Sequence, residues 1–563
     1  MSTALSIDAQ GYFVHRDRRL FPVGVNYWPA SSGLHMWANW DADEIKADLD
    51  LIVGLGFNTV RFFLRWQDFE PEAGRYVDRS FERLEWLLSA CAARGLWAHP
   101  SLFSGWMSGG IFWPAWKGAR NLYADPFMAS RAEAFARRAA RTFARHRNHL
   151  LAVDLGNEMG CLPDSAAASF GDIAAWCARV CAAIKETCPH VMIVSGCDMG
   201  QVTNDTGWAF TNQPGTDFLS MHAYPVANWS PVPLGGLDDA LSRRLFPYYC
   251  AYARAYGPVL FQEFGTILTF GDAVQRDFLA AALPATAAEG VNGMLWWCLR
   301  DIRSLEHPYR FCEMERSLGL VDPQGRPKPA LAAATHQLAA WAADPESLPP
   351  RTQPDLVFYL PDHTQPTAPE YLRPPNPQRQ LGRRYLIAWH LAAEAGATPG
   401  FARRATLPPP GSAPLLFVGQ SLSPDEIFTL HRWVEQGGQL ILHGVSVRNW
   451  GATYAQFLGA RAVNYALNCR LTVDAFGHRW SFPPTPDEAR FVVEPTTARV
   501  LARDQDGHPC LLSQQHGLGR ILYSLPSVED AVIHDRSTSL AHGDRWREWY
   551  AAMLVDRRLV SMT

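Results

Sequence analysis

The sequence predicts a (β/α)8 barrel followed by a smaller α/β unit. Two observations carry this. Between residues 20 and 345, eight short apolar runs rich in β-branched and aromatic residues are each followed by a longer amphipathic stretch. The chain is 563 residues long, 48% hydrophobic and 19% charged, which excludes a disordered polypeptide. At about 150 residues per domain, that length holds two or three domains.

The strand candidates are FPVGVN (21–26), NTVRFFL (58–64), LWAHPSLF (96–103), LLAVDLG (150–156), HVMIVSG (190–196), DFLSMHA (217–223), PVLFQEF (258–264) and NGMLWWCL (292–299). Helical patterns such as DADEIKADLDLIVGLG and ASRAEAFARRAARTFARHR lie between them, and several stop at Gly. The segment before the first strand, LSIDAQGYFVHRDRRLFPVG, reads as a hairpin closing the barrel floor. The Pro-rich DPESLPPRTQPD then breaks the pattern. The expected division is a barrel over 1–345, a linker over 346–355 and an α/β unit over 356–563. In that last unit LVFYLP, PLLFVG and QLILHG are strands, and Ser423 is the N-cap of a helix. Residues 465 to 530 read as further β structure.

Composition limits the function classes. The net charge is −4, from 51 Lys+Arg against 55 Asp+Glu. A protein that tracks a phosphate backbone carries a basic excess, so nucleic acid is not an expected partner. The 21 Trp supply flat apolar faces that suit sugar rings. No apolar run reaches the ~20 residues of a membrane span. The N-terminal residues lack a signal-like pattern, so the expected location is the cytoplasm. Eleven Cys without CxxC or HExxH read as reduced thiols; no metal and no cofactor are expected.

Barrel enzymes work at the C-terminal ends of their strands. Glu158 follows the fourth strand and Glu263 ends the seventh. Both follow continuous apolar runs, where a charge is costly without partners or a role. Two carboxylates facing one pocket are what glycoside hydrolysis requires.

Residues 20–330 resemble the clan of retaining glycoside hydrolases that carries its acid/base on strand 4 and its nucleophile on strand 7. The likeness is nearest to family 5, with features of family 42. It rests on Asn157-Glu158, Arg61 in NTVRFFLRW, His222 and Tyr224 in HAY, Glu263, and the aromatics of GMLWWCLRD. The resemblance implies that Glu158 is the acid/base and Glu263 the nucleophile. It implies that Asn157 bonds the sugar 2-hydroxyl, and that Arg61 and Tyr224 hold Glu263 ionised with a low pKa. His222 would line the same subsite, and Trp297 rather than Trp296 would lie under the sugar. A family 5 barrel usually carries a His near the end of strand 3. Here Phe103 falls at that point, and His99 reads as core. The aromatic stretch after strand 3 holds Trp106, Trp113 and Trp116, and Tyr27 and Trp28 follow strand 1. Trp106 and Trp28 are expected as pocket walls.

The second unit resembles the flavodoxin-like or amidotransferase-like module of family 42 β-galactosidases. A catalytic amidotransferase needs a nucleophilic Cys; the matching turn offers Ser421 instead. The module is therefore expected to be non-catalytic and to form a homo-oligomer, a dimer or trimer. The whole reads as a retaining exo-β-glycosidase acting on short oligosaccharides, with β-mannoside as first substrate. β-Galactoside or β-glucoside is the alternative. An endo-acting mannanase or cellulase, and a non-catalytic sugar-binding barrel, are further alternatives.

Overall fold

The structure is a computed structural model. It describes all residues except 1–4, 205, 228, 267–269, 363–376, 420–421, 445–450, 468–469, 484–488, 535–542 and 556–563. Ser421 lies outside the described residues. The chain divides into two compact units, Met1–Arg351 and Thr352–Thr563.

The first unit is the barrel. Its strands are β1 (Val23–Tyr27), β2 (Thr59–Phe63), β3 (Trp97–Phe103), β4 (Val153–Asn157), β5 (Ile193–Gly196), β6 (Leu219–Ala223), β7 (Val259–Phe264) and β8 (Met294–Trp297). They are parallel in the order β5-β4-β3-β2-β1-β8-β7-β6. At the seam between β5 and β6 the Asp217 amide donates to the Ile193 carbonyl. Nearly every strand residue is buried, because helices cover the outside and side chains fill the inside.

Local chemistry starts the covering helices. Asp41 caps Ala42–Gly54, Asp125 caps Pro126–Arg145 with Pro at its first position, and Ser169 with Asp172 forms a capping box on Phe170–Thr187. The N-terminal segment forms a three-stranded antiparallel meander, not a two-stranded hairpin. Phe13 from that meander packs with Trp97, Leu151, Phe218, Leu260 and Leu295 at the N-terminal ends of the strands. This closes the floor and leaves the opposite end for the site.

The second unit holds a seven-stranded sheet. β9 (Leu356–Leu360), β10 (Pro399–Arg403), β11 (Leu415–Phe417), β12 (Gln439–His443) and Gly519–Ser524 are parallel; Pro509–His516 and Arg499–Arg503 extend it antiparallel. Ser423 caps Pro424–Glu435 through a capping box with Glu426. Two further antiparallel pairs supply the additional β structure.

Candidate active site

The site is built on one buried cation. Arg61 on β2 is fully enclosed, so its guanidinium must be paired. Nη2 and Nε donate to Asp154 Oδ2 at 2.7 and 3.2 Å, and Nη1 donates to Glu263 Oε2 at 3.1 Å. Nη1 also donates to Asn26 Oδ1 (2.9 Å), and Nη2 to Asn157 Oδ1 (3.0 Å). One side chain thus ties together β1, β2, β4 and β7. Gly196 on β5 makes room for the Asp154 partner: a Cβ there would sit 2.0 Å from the Gly156 carbonyl and under 3 Å from the Asp154 carboxylate.

Glu263 ends β7 with its second oxygen accepting from the Tyr224 hydroxyl at 2.7 Å. Glu158 follows β4 in a left-handed conformation, φ 44 and ψ 51, which a non-glycine residue rarely adopts. Its Oε2 accepts from the Trp106 indole at 3.1 Å, and its Oε1 lies 3.1 Å from His222 Nδ1. Oxygens of Glu158 and Glu263 and a nitrogen of His222 all lie within 4.8 Å of one another. Retaining pairs stand about 5–5.5 Å apart and inverting pairs about 6.5–9.5 Å, so this spacing suits retention. The trio is a poor metal site. Both Glu263 oxygens are already engaged, and the guanidinium beside them repels a second cation.

The expectation of a low pKa for Glu263 needs correcting. Burial pushes both Glu158 and Glu263 up to about 7. For Glu263 this outweighs the help from His222, Arg61 and Tyr224, while Glu158 adds to the rise. The hydrogen bonds decide which of the two keeps the proton. His99 Nδ1 contacts the Ala152 carbonyl (2.9 Å), so Nδ1 carries the hydrogen. Burial lowers the His99 pKa to about 4, so the ring is neutral and Nε2 accepts from Gln262 Nε2 (2.7 Å). Gln262 Oε1 must then accept from His222 Nε2 (2.9 Å). His222 is also held neutral by burial, which leaves Nδ1 as an acceptor facing Glu158. The chain is satisfied when Glu158 is the acid and Glu263, with two donors, the anion.

The pocket above these groups encloses about 440 Å³. Asn157, Glu158, His222, Tyr224, Glu263, Trp106 and Trp297 all line it. Arg61 lies beneath, against Glu263. Trp297 faces the pocket, whereas Trp296 is wholly buried against Phe264. Trp28 is not a wall, contrary to expectation. It is 2% exposed and stacks on Phe63, which in turn meets Trp297 edge-on. Trp113 and Trp116 are half-buried and pack edge-on against the buried Trp66, outside the pocket lining.

Several working groups escaped sequence reasoning. Asp154, Asn26 and Gln262 look like ordinary strand residues until the barrel closes. His99 was read as core; it is buried, but it is bonded into the site. Asp198 after β5 and Glu315 after β8 also line the pocket, each pushed up to about 7 chiefly by burial. Acidic residues among apolar runs were the available signal, but their loops carried no register.

A barrel whose strand 4 and strand 7 ends bring two carboxyls together over a neutral His and a buried Arg defines a glycoside hydrolase. The family model for cellulase, glycosyl hydrolase family 5, matches residues 21–301. The chain is similar to the exo-β-1,4-mannosidase Op5Man5 from Opitutaceae bacterium strain TAV5, at 41% identity over 98% of this chain and 99% of that one, with TM-score 0.93. A GH5_18 variant from Streptomyces cattleya in complex with Manβ1-4GlcNAc is 25% identical over 68% of this chain and 94% of that one, with TM-score 0.59. Gan42B, a GH42 β-galactosidase from G. stearothermophilus, shares the fold at 14% identity, over 93% of this chain and 88% of that one, with TM-score 0.66. No curated protein sequence matches. The chain belongs to family 5 of the glycosyl hydrolases.

Proposed function

We propose that the protein is a retaining exo-β-mannosidase that removes single mannose units from the non-reducing end of short β-linked oligosaccharides. The observation that carries this is the meeting of Glu158, His222 and Glu263 within 4.8 Å in one pocket of about 440 Å³. Similarity to Op5Man5, named an exo-β-1,4-mannosidase, supports the sugar and the exo mode.

Glu263 attacks the anomeric carbon while Glu158 gives its proton to the leaving oxygen. The bond to Glu263 forms as the glycosidic bond breaks. Water then attacks the glycosyl-enzyme and gives its proton to Glu158, and the product keeps the β configuration. Arg61 and Tyr224 hold Glu263 in place throughout. Asn157 has one amide hydrogen on the Trp106 carbonyl, and the other is offered to the sugar 2-hydroxyl. Trp297 is the platform under the ring.

The second unit is proposed to be non-catalytic and to assemble the chain into a dimer or trimer. Phe428, Tyr465 and Leu518 are exposed on that unit and are the apolar side chains such an interface would cover. The described cysteines of the barrel are free thiols, which supports a cytoplasmic location. No described helix is long and apolar enough to cross a membrane. A panel of p-nitrophenyl glycosides tests the central reading: turnover of the β-mannoside above the β-galactoside and β-glucoside is expected. Preference for either of the others would reassign the substrate.

A further inference from the structure

Two pocket carboxyls play no part in the displacement scheme, Asp198 and Glu315. Glu315 sits in the short turn Met314–Arg316 that follows β8. Burial raises its pKa to about 7, and the Ser108 hydroxyl and the Trp297 indole beside its carboxyl offset part of that rise. Its Oε2 and the Ser108 hydroxyl are both buried, and neither has a hydrogen-bond partner in range among the described residues. A carboxylate oxygen left bare inside a site is costly unless a ligand donor completes it. Among the described lining residues there is no Lys or Arg to do so.

The order of strands says which part of the sugar it meets. Glu158 on β4 protonates the leaving oxygen, so the leaving group lies over β4, β5 and β6. Asp198 and Trp229 line the pocket on that side. Across the barrel run β8, β1 and β2. There Trp297 forms the platform, with Glu315 at its indole edge. The small hairpin after β3, Trp106–Met107 paired with Gly110–Ile111, brings Ser108 to the same point. A ring lying on Trp297 with its anomeric carbon at Glu263 turns its far edge, carrying the C3, C4 and C6 hydroxyls, toward Glu315.

We propose that Glu315 reads the non-reducing terminus: its carboxylate accepts hydrogen bonds from hydroxyls on the ring edge remote from the anomeric carbon, and so requires that edge to be unsubstituted. This rests on the exo-glycosidase reading above.

The test measures kcat/KM for an aryl β-mannoside and its 3-, 4- and 6-deoxy analogues, on the unaltered enzyme and on Glu315→Gln. A hydrogen bond to a charged group predicts a loss of about 10- to 150-fold on at least one analogue with the unaltered enzyme. Glu315→Gln should lose a similar factor on the parent sugar. On the sensitive analogue it should lose no more than about twofold further, because the partner hydroxyl is already gone. Equal losses for Glu315→Gln on the parent and all three analogues would overturn the proposal. So would an unaltered enzyme that treats all four sugars alike, a result that needs no variant to fold. If the enzyme cleaves no β-mannoside, the substrate reading fails instead. The deoxy series on the sugar it does cleave then still decides Glu315.

Discussion

Both units bury a Glu–His–Tyr cluster, and the two behave differently. In the second unit Glu529 Oε1 accepts from His443 Nδ1 at 2.9 Å and from the Tyr550 hydroxyl, and its Oε2 accepts from Ser527 at 3.1 Å. Burial alone would raise its pKa, but His443 and these bonds lower it overall. In the barrel Glu263 has comparable donors, yet its pKa rises, because burial outweighs them and the nearby Glu158 carboxyl adds to the rise. The Glu158 and Glu263 side chains keep 18% and 7% of their surface open to the pocket, whereas Glu529 is wholly closed. A buried carboxylate with a histidine is therefore not a site by itself. A second like charge and a cavity make it one.

The sharpest way to break the comparison is to remove each Glu. Glu263→Ala should lose at least about 10⁴-fold in turnover, because the covalent route disappears. Azide should restore activity and give an α-configured glycosyl azide. Glu529→Ala should leave kcat within about twofold but cost the second unit about 3–5 kcal/mol, read by chemical denaturation, since His443 is left without its partner. If Glu529→Ala silences the enzyme without unfolding it, the contrast fails.

Glu158→Gln comes next. Turnover on substrates with poor leaving groups should fall about 10²–10⁴-fold. Aryl substrates with good leaving groups should still glycosylate the enzyme, and for Glu158→Ala azide should give the β product. The opposite azide stereochemistry in the two alanine variants would reverse the roles.

Tyr224→Phe should reduce kcat/KM about 10- to 150-fold and move the acid limb of the pH profile upward, because the anion of Glu263 loses a donor. An unmoved limb would mean that Tyr224 only packs. The two limbs belong to the coupled pair and should fall on either side of about 7.

The two units should also respond oppositely to pH. Glu158 and Glu263 have raised pKa values, so their contribution to stability is present below the unfolded carboxylate range and lost as pH rises through about 7. Glu529 has a lowered pKa, so its contribution is present above that range and lost as pH falls through its folded value. Hydrogen exchange resolved by unit should show the barrel loosening from about pH 5 to about 7 and the second unit loosening on acidification. Parallel responses would show that other groups dominate. The smallest effect is expected for Trp28→Phe. KM should change by less than about twofold, because the ring stacks on Phe63 behind the pocket and does not line it.

Much of this was legible in the chain. Eight apolar runs with amphipathic spacers specify a barrel because each strand is buried on both faces and each helix on one. A Glu at the end of such a run lies at the barrel mouth whatever the loops do. The two ends of the mechanism, Glu158 and Glu263, could therefore be read by position alone. Strand parity could also narrow Trp296 and Trp297 to one pocket residue, though not say which.

Other features depended on three dimensions. Whether Trp28 is a wall or a support depends on the ring it stacks on, Phe63, which lies 35 residues away. How much Glu158 adds to the rise in the Glu263 pKa depends on how close it comes, across 105 residues of chain. His99 became part of the site through Gln262, a contact between β3 and β7 on opposite sides of the barrel. Periodicity and local partners are properties of neighbouring residues, so sequence by itself determined the elements, their order and the ends at which chemistry could occur. Charge coupling, tautomer choice and the emptiness beside Glu315 depend on distances between residues far apart in the chain. Only the closed barrel sets those distances, because electrostatic and hydrogen-bond energies change over a few ångströms that sequence spacing does not encode.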